Sequence, residues 1–205
     1  MLDIEGFVLA GGRSQRMGRD KALIEVEGQP LVLVALEKLR TVSRKQRIAG
    51  TRPDLAAFAP VIDDLHAGCG PLSGMEAALR ATDSDLNIFM AVDVPFLPVE
   101  FLQWMMARAV LTQALATIPT VLAYPQPLCA VYHQDLCPAI TRALERQEYK
   151  VMRVILEAGE ALRRPVDLFS MEAVCPTQRR WPAHSPVHRW FQNLNSPEDL
   201  ETIAG

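Results

Sequence analysis

The chain has 205 residues, of which 49% are hydrophobic and 22% are charged, as expected for one folded domain over residues 1–205. Its net charge of −3 argues against nucleic acid as a partner, and no apolar run approaches the roughly 20 residues of a membrane span. The opening sequence lacks a signal peptide's basic region, and the four cysteines form no Cys-x-x-Cys pair. We therefore expect a cytoplasmic protein with reduced thiols and no membrane partner.

Strand-like and helical segments alternate along the chain. The hydrophobic pattern predicts strands at 6–10, 47–49, 60–62, 87–92 and 128–132. It predicts helices at 30–41, 73–81, 99–110, 136–145 and 151–157. Ser73 and Glu76 have the spacing of a capping box at the start of the second helix. This alternation indicates a three-layer α/β/α, Rossmann-like fold with a mostly parallel sheet.

Residues 174–190 interrupt the alternation. The segment is rich in proline, arginine and tryptophan, so we expect an irregular loop, mobile or ordered by a ligand. His184 and His188 have the spacing of a helical zinc pair, but Pro182 and Pro186 argue against a helix between them.

The most informative segment spans residues 7–21. An apolar strand stops at Gly11 and Gly12, and a third glycine, Gly18, follows in a basic loop. Glycines allow backbone N–H groups to approach anionic oxygens closely. The loop also carries four cations: Arg13, Arg16, Arg19 and Lys21. The spacing fits neither a P-loop nor a dinucleotide-binding fingerprint, yet it favours a loop that binds a polyphosphate over an ordinary surface turn.

Carboxylates follow two further predicted strands. Asp63 and Asp64 come after the strand at 60–62, and Asp93 comes after the strand at 87–92. Because ligands of parallel sheets bind at the carboxyl ends of the strands, we expect these side chains beside the glycine loop. Asp93 is a candidate Mg²⁺ ligand, since Mg²⁺ uses one or two carboxylates plus substrate phosphates; an ordinary turn aspartate is the alternative.

Two other elements carry candidate residues. The run Gly-Pro-Leu-Ser-Gly at 70–74 opens a helix, where either its free N–H groups attract an anion or a polar base, or the run is only a cap. Asn193 and Asn195 occupy alternate positions, so that both amides could face a ligand, although Asn195 could instead cap the last helix.

The run Leu-Ala-Gly-Gly-Arg-Ser-Gln-Arg-Met-Gly-Arg-Asp-Lys at 9–21 resembles the signature of molybdenum-cofactor nucleotidyltransferases. The family that the chain most resembles is the molybdenum cofactor guanylyltransferases. Residues 70–74, Asp-Val-Pro-Phe-Leu-Pro at 93–98 and Asn-Leu-Asn-Ser-Pro-Glu-Asp-Leu at 193–200 fit the same family. Ala-Gly-Thr at 49–51, Gln126 and the segment 174–190 depart from it, which weakens the resemblance on the pterin side.

The resemblance implies a nucleotidyltransferase fold and a set of functional residues. It implies catalytic roles for Arg16, Lys21 and Asp93, with Mg²⁺ on Asp93. It implies nucleotide contacts from Leu9, Ala10, Gly11, Gly12, Lys21, Asp64, Gly74 and Asp93. Asn193 and Asn195 would bind substrate. Asp63 stays an alternative to Asp64, because one sequence does not separate the two.

The implied reaction moves GMP from GTP to molybdopterin or its molybdenum-loaded form, and releases pyrophosphate. Proteins of cofactor biosynthesis, or the enzymes that use the cofactor, are the implied protein partners. Leu-Ala-Gly-Gly rather than Leu-Ala-Ala-Gly favours GTP over CTP. The alternatives are a CTP-dependent molybdopterin cytidylyltransferase, a sugar-phosphate nucleotidyltransferase and a non-catalytic nucleotide-binding module.

Overall fold

The computed structural model describes residues 3–11, 20–178, 181–182, 186–194 and 199. The strands within these ranges are β1 (Ile4–Leu9), β2 (Glu25–Val26), β3 (Gln29–Pro30), β4 (Lys45–Ala49), β5 (Val61–Ile62), β6 (Leu86–Ala91), β7 (Ala116–Val121), β8 (Tyr124–Pro125), β9 (Cys129–His133) and β10 (Val166–Ser170). All five predicted strands are present. The pattern missed five strands: the short β2 and β3, and β7, β8 and β10 in the second half of the chain.

The helices in the same ranges are α1 (Leu31–Arg40), α2 (Pro71–Ala81), α3 (Val99–Thr112), α4 (Cys137–Glu145), α5 (Val151–Leu162), α6 (Met171–Val174) and α7 (Val187–Trp190). The predicted capping box is wrong, because α2 begins at Pro71 and its N-cap is Gly70. Gly70 adopts a φ of 69°, and proline fits the first turn because it needs no N–H partner there. Among the described residues, no helix is long and apolar enough to cross a bilayer.

The main sheet has the strand order β10-β7-β9-β6-β1-β4-β5, with β8 paired to β7. β1 runs parallel to both β4 and β6, β5 runs parallel to β4, and β10 runs parallel to β7. β9 lies antiparallel between β6 and β7. The prediction of a mostly parallel sheet is therefore confirmed, and the reversal at β9 separates its two parallel parts.

Helices cover both faces of this sheet. Side chains of β1 alternate between them: Val8 packs with α1 and α3, whereas Phe7 and Leu9 pack with α2, α4 and α5. Phe7 also stacks on Phe89 of β6, with ring centroids 5.1 Å apart. Burying one such side chain contributes roughly 1.5–3 kcal/mol, so both faces of the strand stabilise the fold. This arrangement is the expected three-layer α/β/α fold.

The described part of 174–190 differs from the irregular loop, mobile or ordered by a ligand, that we expected. Trp181 and Trp190 are buried, and both rings pack on Phe101 of α3, at centroid distances of 5.6 and 6.1 Å. Trp181 also packs edge-on against Trp104. We call these four side chains the aromatic cluster. The segment is held by burial of its aromatic rings, a tertiary interaction that its proline-rich composition conceals. His188 lies on α7, whereas His184 lies outside the described residues.

Candidate active site

The carboxyl ends of β1, β4 and β6 surround a cleft of about 760 Å³. Seven of the predicted site residues line it: Leu9, Ala10, Gly11, Lys21, Asp64, Gly74 and Asp93. Three elements that are distant in sequence, the end of β1, the end of β6 and the start of α2, therefore meet at one edge of the sheet, as expected for a parallel α/β fold. Gly12, Arg16 and Asn195 lie outside the described residues.

The turn after β4 packs directly on the turn after β1. Gly50 has a φ of 132°, and a Cβ atom there would lie only 2.9 Å from the backbone nitrogen of Gly11. Two hydrogen bonds fix this arrangement, from Ala10 N–H to the Ala49 carbonyl at 3.1 Å and from Gly50 N–H to the Ile62 carbonyl at 3.0 Å. A close backbone contact thus requires glycine at position 50. The Ala-Gly-Thr run that contains it is one of the departures from the family pattern.

Lys21 and Asp93 face each other across the cleft. Their Nζ and Oδ2 atoms are 3.5 Å apart, and the side chains are only 26% and 19% exposed. Lys21 begins a short 3₁₀ turn, Lys21–Leu23, that the Asp20 carboxylate caps by accepting a hydrogen bond from Ala22 N–H at 3.0 Å. Asp93 is held by its own backbone, since its carbonyl accepts a hydrogen bond from Leu194 N–H at 2.8 Å. The pair places a cation and a carboxylate side by side in the cleft, an arrangement able to bind an anion and a cation together.

Asp64 and Asp63 differ in their surroundings. Asp64 lines the cleft, while Asp63 is exposed and is not among the lining residues. The Asp64 Oδ1 atom is buried and has no hydrogen-bond partner in the described structure. Burial raises the pKa of this carboxyl above its ordinary value. A buried acceptor without a partner is suited to receive a donor group from a ligand, so the geometry favours Asp64 over Asp63.

The start of α2 forms the wall beside Asp64. Gly70 and Gly74 both line the cleft, and a Cβ atom on Gly74 would lie 3.3 Å from Asp64 Oδ1. Ser73 braces the preceding loop, because its hydroxyl accepts a hydrogen bond from His66 N–H at 3.0 Å. Glu76, the other half of the predicted capping box, is instead buried and accepts a hydrogen bond from the Thr141 hydroxyl at 2.7 Å. Gly70 and Gly74 therefore keep the N-terminus of α2 open to a ligand.

Arg52 is a cleft residue that sequence reasoning missed. It is 3% exposed, and its guanidinium binds the Ala10 carbonyl and the carboxylates of Asp20 and Asp54. These partners, above all the hydrogen bonds to Asp54, raise its pKa above the ordinary value. Nothing in the run Gly-Thr-Arg-Pro-Asp distinguishes it from an exposed arginine, because its partners are brought together only by the fold.

Asn193 does not line the cleft. Its side chain is exposed, although it precedes Leu194, which is buried and binds the Asp93 carbonyl. The structure thus places Asn193 near the site without bringing its amide into it.

The donor set at the cleft fits Mg²⁺ better than a transition metal. In the described part of the chain, no group of three or more His, Cys, Asp or Glu side chains could hold a metal ion. Asp93 presents a single, partly exposed carboxylate to the cleft. Mg²⁺ binds in this way, through one or two carboxylates with the remaining positions taken by phosphates and water.

Comparison with known proteins agrees with this geometry. Residues 6–163 match the model of the MobA-like NTP transferase domain. A molybdenum cofactor guanylyltransferase from Serratia proteamaculans is 32% identical, with 96% of this chain and 92% of the relative aligned. A protein from Pyrococcus furiosus named "probable molybdenum cofactor guanylyltransferase" is also 32% identical, over 97% of this chain and 95% of the relative.

A solved structure supports the same assignment. It is the molybdopterin-guanine dinucleotide biosynthesis protein A from Archaeoglobus fulgidus, which superimposes with a TM-score of 0.74 at 26% identity. The superposition covers 97% of this chain and 95% of that one. The chain therefore belongs to the MobA-like NTP transferase domain family and is a nucleotidyltransferase.

Proposed function

We propose that the protein transfers GMP from GTP to molybdopterin or its molybdenum-loaded form, giving the guanine dinucleotide of the cofactor and pyrophosphate. The observation that carries the proposal is the facing pair Lys21 and Asp93 in a cleft of about 760 Å³. The names of the relatives supply the substrates: one is named a molybdenum cofactor guanylyltransferase, another a "probable molybdenum cofactor guanylyltransferase", and the solved structure a molybdopterin-guanine dinucleotide biosynthesis protein.

In this proposal the triphosphate lies between the end of β1 and Lys21. The Gly11 backbone borders the cleft, and glycine there leaves room for a phosphate to approach closely. The acceptor phosphate attacks the α-phosphorus in line, and pyrophosphate leaves with the electrons of the broken P–O bond. Lys21 neutralises the negative charge that accumulates on the phosphates in the transition state.

The reaction needs no general base, because the attacking phosphate oxygen is already an anion. This agrees with the cleft, in whose described lining no histidine occurs. Positioning and electrostatic stabilisation are then the main contributions of the protein.

Asp93 is the residue that would hold Mg²⁺. When bound, the ion supplies positive charge that stabilises the phosphates of donor and acceptor. The chain's own contribution is to fix the carboxylate: the Asp93 backbone follows buried β6 on one side and binds Leu194 N–H on the other. Lys21, 3.5 Å away, limits its movement further.

Asp64 and the start of α2 are the proposed contacts to the nucleoside. The Oδ1 atom of Asp64 is buried without a partner and offers an acceptor for a donor group of the nucleotide, and Gly74 avoids crowding that oxygen with a Cβ atom. The raised pKa of Asp64 reflects a desolvated carboxyl, for which a hydrogen bond from a ligand is favourable.

The test is product formation from molybdopterin with GTP, CTP or ATP in parallel reactions, each with Mg²⁺ and with a chelator. Mass spectrometry identifies the dinucleotide. We expect the guanine dinucleotide, formed only with GTP and Mg²⁺. If product forms only with CTP, the reaction is still nucleotidyl transfer, but the donor is CTP instead of GTP. No product from a folded protein would overturn the proposal and leave a sugar-phosphate acceptor or a non-catalytic module.

A further inference from the structure

The guanidinium of Arg52 joins two points of the chain that are ten residues apart in sequence. Its Nη1 donates to the Ala10 carbonyl, at the end of β1, at 3.3 Å. Its Nη2 donates to the carboxylate of Asp20, directly before Lys21. The turn that leaves β1 and the turn that presents Lys21 are therefore held together by one side chain.

The other contacts of Arg52 are with Asp54 and engage two more of its donors. Its Nε donates to Asp54 Oδ1 at 3.0 Å, and its Nη2 donates to Asp54 Oδ2 at 2.7 Å, which is a bidentate pair. The side chain is only 4% exposed, and two carboxylates balance its charge. Arg52 thus borders the cleft with four of its five N–H donors engaged by the protein, which suits a residue that positions others better than one that binds phosphate.

Asp20 transmits this restraint to Lys21. The same carboxylate that binds Arg52 also accepts a hydrogen bond from Ala22 N–H and caps the turn Lys21–Leu23. Rotating Asp20 away from Arg52 would release the cap of the turn on which Lys21 lies. The position of the lysine backbone therefore depends on the Arg52–Asp20 ion pair.

We propose that Arg52 is a positioning residue for the nucleotide. It fixes Asp20 and the end of β1, and so directs the Lys21 amine toward the triphosphate. The proposal rests on the proposed function only in placing a triphosphate at Lys21. A purely structural role predicts a different result, since it would lower stability without coupling Arg52 to Lys21 in nucleotide binding.

The experiment is a double-mutant cycle measured by calorimetric titration of GTP with Mg²⁺. The variants are Arg52→Lys, Lys21→Met and the double variant, because lysine keeps the charge but loses the fork that reaches three partners. We expect Arg52→Lys to weaken binding about tenfold, the loss of one good hydrogen-bonded contact. In the Lys21→Met background the same change should weaken binding less than about twofold, since its effect passes through Lys21.

Arg47→Lys is the matched control. Arg47 lies on β4 and likewise binds a carbonyl and a carboxylate, those of Ala81 and Glu5, but it does not line the cleft. Its substitution should lower Tm while GTP affinity stays within about twofold of wild type. If Arg52→Lys behaves in the same way, Arg52 is only structural and the proposal is overturned.

A second variant covers the case in which Arg52→Lys folds poorly. Asp20→Asn keeps the shape of the side chain and removes its charge, and we expect weaker GTP binding that is again non-additive with Lys21→Met. Additive losses of GTP affinity in either cycle would overturn the proposal for Arg52 but not the proposed function. Absence of binding of GTP, CTP and ATP by the wild-type protein would overturn this proposal together with the proposed function. Binding without product formation would overturn only the function.

Discussion

The cleft and the aromatic cluster use opposite kinds of side chain. In the cleft, the ion pair of Lys21 and Asp93 is partly exposed, and such pairs contribute little to stability. In the cluster, Trp181 and Trp190 are buried against Phe101, where they contribute much to stability and present no polar group to a substrate. Substitutions in the two regions should therefore separate activity from stability.

One backbone hydrogen bond joins the two regions. Leu194 N–H, which closely follows Trp190 in sequence, donates to the Asp93 carbonyl at 2.8 Å. A severe loss of packing in the cluster should therefore disturb Asp93, whereas changes in the cleft should leave the cluster intact.

The largest expected effect is on stability, from Trp190→Ala. Truncating this fully buried ring should cost roughly 3–5 kcal/mol of the free energy of unfolding. Denaturant unfolding, followed by circular dichroism, measures it. Leu122→Ala is the control, since Leu122 is 68% exposed and should change the free energy by less than about 0.5 kcal/mol. A loss below about 1 kcal/mol at Trp190 would mean that the ring is not part of the core.

Asp93→Asn should give the largest effect on activity. Without the charge that would hold Mg²⁺, kcat should fall about 1,000-fold, equivalent to about 4 kcal/mol of transition-state stabilisation. Tm should stay within a few degrees of wild type. Asp63→Asn, the same change at an exposed aspartate, should leave kcat unaltered. Turnover by Asp93→Asn at the wild-type rate would remove Asp93 from the reaction.

Lys21→Met should have an intermediate effect. The change keeps an unbranched side chain and removes its charge, so kcat/KM for the triphosphate should fall about 10- to 100-fold, or about 1.4–2.7 kcal/mol. Steady-state kinetics with varied GTP measures it, and the loss should lie between those of Asp93→Asn and Asp63→Asn. An unchanged kcat/KM would place the phosphates away from Lys21.

Two helical glycines, one at the cleft and one away from it, give the sharpest test that activity and stability can be separated. A Cβ atom on Gly74 would press on Asp64 Oδ1 at 3.3 Å, so Gly74→Ala should raise KM about three- to tenfold, while Tm is unchanged or higher because alanine favours the helix. On α5, a Cβ atom on Gly159 would lie 2.7 Å from Val166 Cγ2, so Gly159→Ala should lower Tm and leave KM unchanged. The reverse pattern would contradict the separation of activity from stability.

The smallest effect concerns the pH dependence of stability. Burial raises the folded-state pKa of Asp64 above 3.8, so its ionised form is disfavoured in the fold. The resulting loss of folding stability is absent below pH 3.8 and develops as the pH rises from there through the raised pKa. Asp64→Asn should therefore raise Tm relative to wild type more at pH 7 than at pH 4, as thermal unfolding would show. An equal difference at both pH values would contradict a desolvated carboxylate.

The sequence indicated much of the cleft because local patterns specify it. Glycines and cations at 9–21 and a carboxylate after an apolar strand are visible without tertiary information, and Lys21 and Asp93 do meet. The choice of Asp64 over Asp63 and the role of Arg52 required the fold, since both depend on which side chains are buried together. β7 was missed because Pro119 lies within it, and proline is rare inside sheets.

The sequence did not reveal the aromatic cluster for the same physical reason that it did not reveal the role of Arg52: both depend on contacts between residues distant in sequence. Proline-rich composition describes the local backbone, but the burial of Trp181 depends on α3, which lies far away in sequence. Non-local packing of this kind leaves no periodic pattern in the segment itself.

The most direct test of the central claim, nucleotidyl transfer, follows phosphorus label from GTP into the products. GTP labelled at the α-phosphate or at the γ-phosphate is incubated with molybdopterin, Mg²⁺ and the protein. We expect α-label to enter the dinucleotide and γ-label to leave as pyrophosphate, in equal amounts. Transfer of γ-label to the acceptor, or its release as inorganic phosphate, would contradict attack at the α-phosphorus.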